Sequence, residues 1–191
     1  RLNAASVPRL SRASSSRTGS VRGGGIVLPQ AAGEMRERVR GLLGKRKATP
    51  WISTFHTLGL RILRAEHGAL GYRRGFSILD AGDCAGLLAD LMRRDPGAGD
   101  IAVGAVQHAI SAWKYALVPP EEVTADGLAP AAALAARCYA PYCETLMTYN
   151  AVDFDDLIMG PVRLLGRDPD VLDRWRETID YMLVDEYQDT N

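Results

Sequence analysis

The sequence predicts an α/β protein in which both ends of the chain contribute strands to a parallel sheet and the long middle part is helical. Three observations support this fold class. Residues 26–28 (IVL) and 51–55 (WISTF) are short and rich in β-branched or aromatic residues, which is typical of strands. Residues 181–184 (YMLV) form an unbroken apolar run that indicates a strand covered on both faces in a parallel sheet. Between these segments, apolar residues recur at helical spacing.

The amino-terminal segment differs in composition from the rest of the chain. Residues 11–25 (SRASSSRTGSVRGGG) consist almost entirely of serine, arginine and glycine. Such a segment buries too little apolar surface to offset the entropy lost on ordering, so we predict that residues 1–25 are disordered or poorly packed. After the strand at 26–28, a helix is predicted over residues 31–43, with Gly44 as its stop. Its apolar stripe at helical spacing consists of Met35, Val39, Leu42 and Leu43.

Helical periodicity and turn residues divide the middle of the chain. A helix is predicted from about Thr57. The glycines expected to break the pattern after it are Gly68, Gly71 and Gly75. Either Asp80 or Asp83 is expected to cap the next helix. The remaining predicted helices cover residues 85–93, 101–115, 130–150, 154–165 and 168–175. Pro161 is expected to kink the fourth of these or to mark a boundary.

Composition places the chain among ordinary globular proteins. Its 191 residues are 47% apolar and 24% charged, which predicts one domain or two and excludes wholesale disorder and collagen-like repeats. No run approaches 18 apolar residues and no charged segment leads into an apolar one, so we expect neither a membrane span nor a secretory signal. Three cysteines without a C-x-x-C pair argue against a disulfide scaffold and a zinc site, and favour a cytoplasmic location.

The net charge of zero conceals an asymmetry along the chain. Residues 1–75 contain 15 lysines and arginines against 3 acidic residues, whereas residues 76–191 contain 8 against 20. Most of the basic residues are arginines, whose planar forks match phosphate geometry, so the basic part could contact nucleic acid. A GC-rich genome that favours arginine codons would produce the same pattern, and both interpretations stay open.

The most informative segment is residues 181–191 (YMLVDEYQDTN), in which a predicted buried strand ends abruptly in acids. Ligands of open α/β sheets lie beyond the carboxyl ends of the strands. There, Asp185 suits a magnesium ion, and Glu186 suits a base that polarises the water attacking a γ-phosphate. Four apolar residues followed by Asp-Glu are a Walker B pattern. An acidic helix N-cap is the alternative interpretation of the same pair.

Several longer segments resemble motifs of the UvrD/Rep family of superfamily 1 DNA helicases, and Rep-like helicases in particular. The acidic string DEYQDTN, residues 185–191, is the most specific of them. The other matching segments are AAGEMRERV (31–39), ISTFHTLG (52–59), SAWK (111–114) and VDFDDLI (152–158). They follow the family's order and spacing, and the resemblance extends from about residue 30 to residue 191.

The resemblance implies a partial RecA-like P-loop NTPase domain, with a parallel sheet, and a large all-helical insertion subdomain. Residues 26–56 and 166–191 would form the RecA-like part, and residues 57–165 would form the insertion. Residues 1–25 would then be an aberrant amino-terminal segment. The strands at both ends and the helices between them, read from residue patterns alone, agree with that division.

The resemblance also implies an activity, the ATP-dependent unwinding of DNA in the 3′–5′ direction. Hydrolysis of ATP with Mg²⁺ would drive movement along single-stranded DNA. Asp185 would bind the magnesium ion, Glu186 would activate the hydrolytic water, and Gln188 would sense the γ-phosphate. The implied partners are single-stranded DNA, forked duplex DNA and proteins of replication or repair.

Three further residues receive a role from the same resemblance. Thr54, Phe55 and His56 would lie along the path of single-stranded DNA, where aromatic faces stack on bases without sequence preference. Plainer interpretations remain for two of them. Phe55 could belong to the core, and His56 could be a satisfied loop histidine.

Other residues that attract attention have structural explanations. The three acids within residues 153–156 suit a solvated helix start favoured by the helix dipole, and we prefer that interpretation for two of the three. Trp113 is expected to pack rather than to contact bases. Cys138 and Cys143 are expected to be inert core residues.

The family's phosphate-binding loop, G-x-x-x-x-G-K-[ST], is missing from this sequence. Its backbone amides and lysine would hold the phosphates of ATP. Residues 19–25 (GSVRGGG) and 41–45 (GLLGK) contain glycines without the required pattern, which a deletion or frameshift would explain. The chain also stops at Asn191, so we expect the second RecA-like domain to be absent. We therefore expect the chain alone to be inactive as an ATPase, and a non-catalytic DNA-binding module or an inactive remnant is the alternative.

Overall fold

The computed structural model describes residues 23–26, 29–44, 50–185 and 187. Within these ranges the strands are β1 (Gly23–Ile26), β2 (Trp51–Ser53), β3 (Ser77–Ile78), β4 (Ala151–Val152) and β5 (Tyr181–Val184). The helices are α1 (Pro29–Leu43), α2 (Phe55–Ala65), α3 (Ala81–Met92), α4 (Val103–Tyr115), α5 (Pro130–Thr148), α6 (Asp156–Arg167) and α7 (Pro169–Thr178). Short 3₁₀ helices lie at His67–Leu70 and Pro120–Glu122. The described chain is α/β and mostly helical, as predicted.

Both ends of the chain contribute to one parallel sheet, and this prediction is confirmed. Its three described strands lie in the order β2-β1-β5, and β1 pairs in parallel with both neighbours. A second, two-stranded parallel sheet joins β3 to β4, with Ser77 opposite Ala151. Parallel neighbours require long connections, and the helices of the middle part supply them.

The central strand lies earlier in the chain than predicted. β1 covers Gly23–Ile26, whereas the predicted strand was 26–28, and residues 27–28 lie outside the described residues. The prediction of disorder over residues 1–25 is therefore wrong for its last three glycines, while residues 1–22 lie outside the described residues. Pairing with strands on both sides holds a glycine segment that composition alone does not identify as a strand.

Strand β5 forms where predicted, but it is not covered on both faces. Tyr181, Met182 and Leu183 are exposed, with 72% of Tyr181 and 78% of Leu183 accessible to solvent. β5 is an outer strand of the described sheet. The apolar run correctly predicted the strand. Its hydrophobicity did not indicate whether other described residues would pack over both faces of that strand.

Helix α1 packs on strand β2. Met35 and Val39, which lie on the predicted helical stripe, contact the buried side chain of Ile52. The Nε atom of Arg36 donates a hydrogen bond to the Ile52 carbonyl oxygen at 3.1 Å. Leu42 belongs to the same predicted stripe but is exposed.

Helices α3, α4 and α5 enclose the largest described core. Its fully buried members include Leu88, Val106, Leu134 and Tyr139. Trp113 stacks on Tyr139 with ring centroids 5.8 Å apart, which confirms that it packs within the protein. No helix among the described residues is both long enough and apolar enough to cross a membrane.

The cysteines behave as the sequence predicts. Cys84 and Cys138 are buried in the core of α3, α4 and α5, and Cys143 packs against it. Burial raises the pKa of the Cys143 thiol to about 11, so the thiol is protonated and unreactive at neutral pH.

Helix α3 begins with a reciprocal cap. The Asp80 side chain accepts a hydrogen bond from the Asp83 backbone amide at 2.9 Å, and the Asp83 side chain accepts one from the Asp80 amide at 3.3 Å. This arrangement satisfies two amides that the first turn of a helix leaves unpaired. Of the two predicted capping residues, Asp80 occupies the N-cap position.

Helix α6 continues through Pro161 to Arg167, so the proline does not form a boundary. Proline has no N–H, and the carbonyl of Leu157 therefore receives no helical hydrogen bond from position 161. Gly59 of α2 lies against this carbonyl. The two helices and strand β4 share a core of Leu63, Val152 and Leu157.

Candidate nucleic-acid interface

The register of the three-stranded sheet places two predicted sites at one edge. Ser53 in β2 and Val184 in β5 both pair with Ile26 of the central strand. Thr54 and Asp185 therefore follow their strands at the same carboxyl edge. Two strand spacings separate them across the sheet, which corresponds to about 10 Å. Ligands of parallel sheets bind beyond this edge.

Thr54 ends strand β2 and caps helix α2. Its side-chain oxygen accepts a hydrogen bond from the Thr57 amide at 3.2 Å, and the two threonine hydroxyl oxygens lie 3.0 Å apart. The helix begins at Phe55, earlier than predicted, because the cap directly follows the strand. No acidic residue lies in its first turn, so no side chain of that turn offsets the positive end of the helix dipole.

We give the name aromatic cluster to Phe55, His56 and Phe154: the first two are neighbours in α2, and the half-buried His56 contacts the ring of Phe154. Phe55 is 39% exposed and Phe154 is 51% exposed. The rings of His56 and Phe154 meet edge to face, with centroids 6.0 Å apart. The core interpretation of Phe55 is therefore wrong, and His56 contacts an aromatic ring from a distant part of the chain.

The sequence analysis did not select Phe154. The sequence signal for Phe154 is a large aromatic residue that lies between two acids at the start of a predicted helix. The sequence pattern instead favours a solvated helix start for two of the three acids. In the structure, the aromatic residue is exposed and two of the surrounding acids are buried or nearly so.

Behind Phe154 lies a buried polar group that we call the Lys114 network. The Nζ atom of Lys114 lies 2.6 Å from Oδ2 of Asp153 and 2.9 Å from Oδ1 of Asp156. The Tyr142 hydroxyl donates a hydrogen bond to Oδ2 of Asp153 at 2.9 Å. Only 1% of Lys114 is accessible to solvent. The network thus joins helices α4 and α5 to the start of α6.

The interpretation of the three acids is corrected by this network. Asp153 and Asp156 are held by Lys114 rather than solvated, and only Asp155 remains without that ion pair. Asp153 also accepts the Asp156 amide through Oδ1 at 2.9 Å, so it caps the helix as well as pairing with the lysine. Residues 114 and 153 are 39 positions apart, which hides their pairing from local sequence patterns.

The charges of the network depend on one another. Burial disfavours the charged ammonium of Lys114, but Asp156 and Asp153 outweigh it and raise the pKa of Lys114. Burial acts in the opposite sense on Asp153, yet the attraction of Lys114 holds the pKa of this carboxyl below its usual value. Burial, with a further contribution from Asp153, raises the pKa of Asp156 despite the nearby lysine.

The predicted nucleotide residues are only partly described. Asp185 directly follows β5 and is exposed, whereas Glu186 and Gln188 lie outside the described residues. Within the described part of the chain, no group of three histidine, cysteine or acidic side chains could hold a metal ion. One carboxylate at this edge suits Mg²⁺, which takes its other oxygens from water and phosphates. The sequence contains no phosphate-binding loop, so these residues do not fit a complete nucleotide site.

Comparison with known proteins decides the family. The family model described as the UvrD/REP helicase N-terminal domain matches residues 29–191. The chain belongs to the UvrD/REP helicase family. This UvrD/REP chain is 42% identical over 163 residues to the ATP-dependent DNA helicase Rep of Escherichia coli (strain K12). It is 38% identical over 165 residues to the ATP-dependent DNA helicase PcrA of Bacillus subtilis (strain 168).

The UvrD/REP chain matches only part of each of these helicases. Each alignment covers 85% of this chain, but only 24% of the Rep protein and 22% of the PcrA protein. The chain therefore spans about a quarter of the length of the curated relatives it matches. The match begins at residue 29 and includes both segments of the carboxyl edge that follow β2 and β5.

Proposed function

We propose that this chain is part of an ATP-dependent DNA helicase, and that its described residues supply a surface for single-stranded DNA. The intact enzyme would couple hydrolysis of ATP to 3′–5′ movement along one strand and to unwinding of a forked duplex. The similarity to Rep and PcrA, which are ATP-dependent DNA helicases, supports the helicase activity. The observation that carries the DNA surface is the exposed aromatic cluster beside the carboxyl edge of the sheet.

The fold supports a division of this chain into a RecA-like part and a helical insertion. Residues 26–56 and 166–191 would form part of a RecA-like domain, because they contribute the parallel strands β2 and β5. Residues 57–165 would form a helical insertion, whose largest core is enclosed by α3, α4 and α5. The aromatic cluster draws residues from both parts, since Phe55 follows β2 and Phe154 precedes α6.

The aromatic cluster has the chemistry that a protein needs to bind single-stranded DNA without preference for its sequence. Exposed faces of Phe55 and Phe154 can stack on any base, because every base has a flat π surface. Thr54 and the start of α2, whose first turn contains no acid, would favour a phosphate nearby. His56 contributes the edge contact that packs against the Phe154 ring.

Titration of a labelled oligothymidine with the chain and its variants tests this proposal. Loss of one stacked base costs about 1–3 kcal/mol, so Phe154→Ala and Phe55→Ala should each weaken binding about 5- to 150-fold. Tyr149→Ala is the matched control, because Tyr149 is an exposed aromatic residue outside the cluster. Equal affinities for the wild type, both phenylalanine variants and the control would remove the proposed surface.

The nucleotide site belongs to the same proposal, with ATP and Mg²⁺ as its ligands. Asp185 would hold the magnesium ion, Glu186 would orient and deprotonate the attacking water, and Gln188 would contact the γ-phosphate. When bound, Mg²⁺ would offset the negative charge of the phosphates. The position of Asp185 directly after β5 supports its part in this assignment.

A second candidate is a non-catalytic DNA-binding module, and the missing phosphate-binding loop favours it. The arginine-rich part of the chain and the aromatic cluster could grip DNA without nucleotide. Titrations at two salt concentrations, with and without Mg-ATP, separate the candidates. Binding that weakens steeply with salt and ignores ATP supports the module, because phosphate contacts release counterions. Absence of any DNA binding would favour an inactive remnant.

A further inference from the structure

The Lys114 network fixes the chain on both sides of Phe154. Asp153, which directly precedes Phe154, accepts hydrogen bonds from Lys114 and Tyr142. Asp156, two residues after it, pairs with the same ammonium. The Asp156 amide closes the turn by donating to Oδ1 of Asp153. A single buried lysine therefore holds the two ends of the short segment that carries the exposed ring.

The geometry of this network explains its presence better than its contribution to the stability of the fold does. Taking a lysine and a carboxylate out of water costs several kcal/mol for each ion, which their attraction offsets only when the geometry is good. Well-packed apolar residues in place of a buried ion pair are often as stable or more stable. The core enclosed by α3, α4 and α5 already contains buried apolar residues, including Leu134 and Ile110. A buried lysine at this position is therefore better explained by the shape that it imposes.

That shape has a specific consequence for the aromatic cluster. Val152 is fully buried and Asp153 nearly so, whereas the next residue, Phe154, is half exposed and contacts His56. The chain thus turns from the core to the surface within one residue. Both hydrogen-bonding oxygens of Asp153 are used to hold this turn.

We propose that Lys114 is a positioning residue for DNA binding, which orients Phe154 toward the strand by clamping Asp153 and Asp156. This inference rests on the proposed DNA surface, but it concerns a residue that does not touch DNA itself. Lys114 acts through Phe154, so a substitution of Lys114 that leaves the helical core folded should still release the ring. The helical insertion would thereby control a contact at the edge of the sheet.

Fluorine NMR measures the ring directly. The chain has three phenylalanines, so incorporation of 4-fluorophenylalanine gives resonances for Phe55, Phe76 and Phe154, assigned by single Phe→Leu variants. Phe76 packs in the core of Leu63 and Val152 and reports whether the fold is intact. In Lys114→Met, which has a side chain of similar length, the Phe154 resonance should move toward that of exposed fluorophenylalanine while the Phe76 resonance stays unchanged.

A double-mutant cycle on oligothymidine affinity distinguishes positioning from general stabilisation. We expect Lys114→Met to weaken binding at least fivefold. If Lys114 acts through the ring, the double variant Lys114→Met/Phe154→Ala should bind within twofold of Phe154→Ala alone, because coupled residues are not additive. Losses that multiply in the double variant, or an unchanged affinity of folded Lys114→Met, would overturn the proposal.

Lys114→Met could unfold the chain, which a changed Phe76 resonance would reveal. A milder variant then tests the same proposal. Asp153→Asn keeps the side-chain shape and leaves Lys114 paired with Asp156. It should move the Phe154 resonance, whereas an unchanged resonance would refute the positioning role. Failure of the DNA surface gives a separate result, because Phe154→Ala would then leave binding unchanged while the resonances still report on Lys114.

Discussion

Gly59 in helix α2 lies directly against the carbonyl oxygen of Leu157 in helix α6. A Cβ atom built on Gly59 would fall 1.6 Å from that oxygen, far inside any permitted contact. The next turn of α6 contains Pro161, which cannot donate a hydrogen bond to the Leu157 carbonyl. The absence of a side chain at position 59 is therefore what allows the two helices to cross at this distance.

We expect Gly59→Ala to lower the free energy of unfolding by about 3 kcal/mol, because the contacted atom is rigid backbone and the helices must separate. Urea denaturation followed by circular dichroism measures the change. Gly86→Ala is the control, since Gly86 lies inside α3 with no atom within 4 Å of its added Cβ. That variant should gain about 0.5–1 kcal/mol from helix propensity. Similar effects of the two substitutions would contradict the close crossing.

Removal of the cap of α3 should lower the free energy of unfolding by less than Gly59→Ala does. Asp80→Ala removes the acceptor of the Asp83 amide and should lower the free energy of unfolding by about 1 kcal/mol. Asp90→Ala serves for comparison, because Asp90 lies on the exposed face of the same helix and pairs with Arg93 at the surface. Surface pairs of this kind contribute about 0–1 kcal/mol. An Asp90 variant that is less stable than the Asp80 variant in the same urea titration would argue against the cap.

The Lys114 network predicts a pH dependence with a definite sign. The pKa of Asp153 is lower in the folded chain than its ordinary value of 3.8, so this carboxylate stabilises the fold above that pH. The contribution is lost as the pH falls through the lower folded value. The stability difference between the wild type and Asp153→Asn should therefore be largest near neutral pH and should shrink below pH 3.8. Urea titrations at several pH values test this, and a difference that grows with acidity would contradict it.

The missing phosphate loop predicts the enzymatic behaviour of this chain. We expect no magnesium-dependent release of phosphate from ATP, with or without single-stranded DNA, because no Gly-Lys-Thr or Gly-Lys-Ser sequence is present to hold the phosphates. Glu186→Gln is the matched control for contaminating ATPases, since it removes the proposed base. Turnover by the wild type that disappears in Glu186→Gln would prove this expectation wrong.

Local patterns predicted most of the helices and one of their caps. Periodicity identified the position of α5 to within two residues at its end, and Asp80 was one of two expected caps. β1 was missed because three of its four residues are glycines, which carry no side-chain pattern. A strand of this kind is identified only by its partners, which lie more than 20 and more than 150 residues later in the chain.

The candidate site was likewise only partly predictable from the sequence. Motif resemblance selected Thr54, Phe55 and His56, and the structure adds Phe154, about 100 residues away, to the same cluster. The pairing of Lys114 with Asp153 was equally hidden, because a lysine on a helix and an acid before another helix are each typical of solvated surfaces. Burial of both charges arises from the packing of α4, α5 and α6, which local sequence does not specify.

The exposed side chains of β5 affect how firmly this strand is held. Successive residues of a strand face opposite sides, so Tyr181 and Leu183 are bare on one side of the sheet and Met182 on the other. Backbone pairing with the glycines of β1 is then the main described attachment of this strand. Such a segment opens at low free-energy cost, and its amide protons should exchange with solvent well before those of α4. Apolar surface that covers β5, rather than folding of the helices, would therefore set how firmly this strand is held.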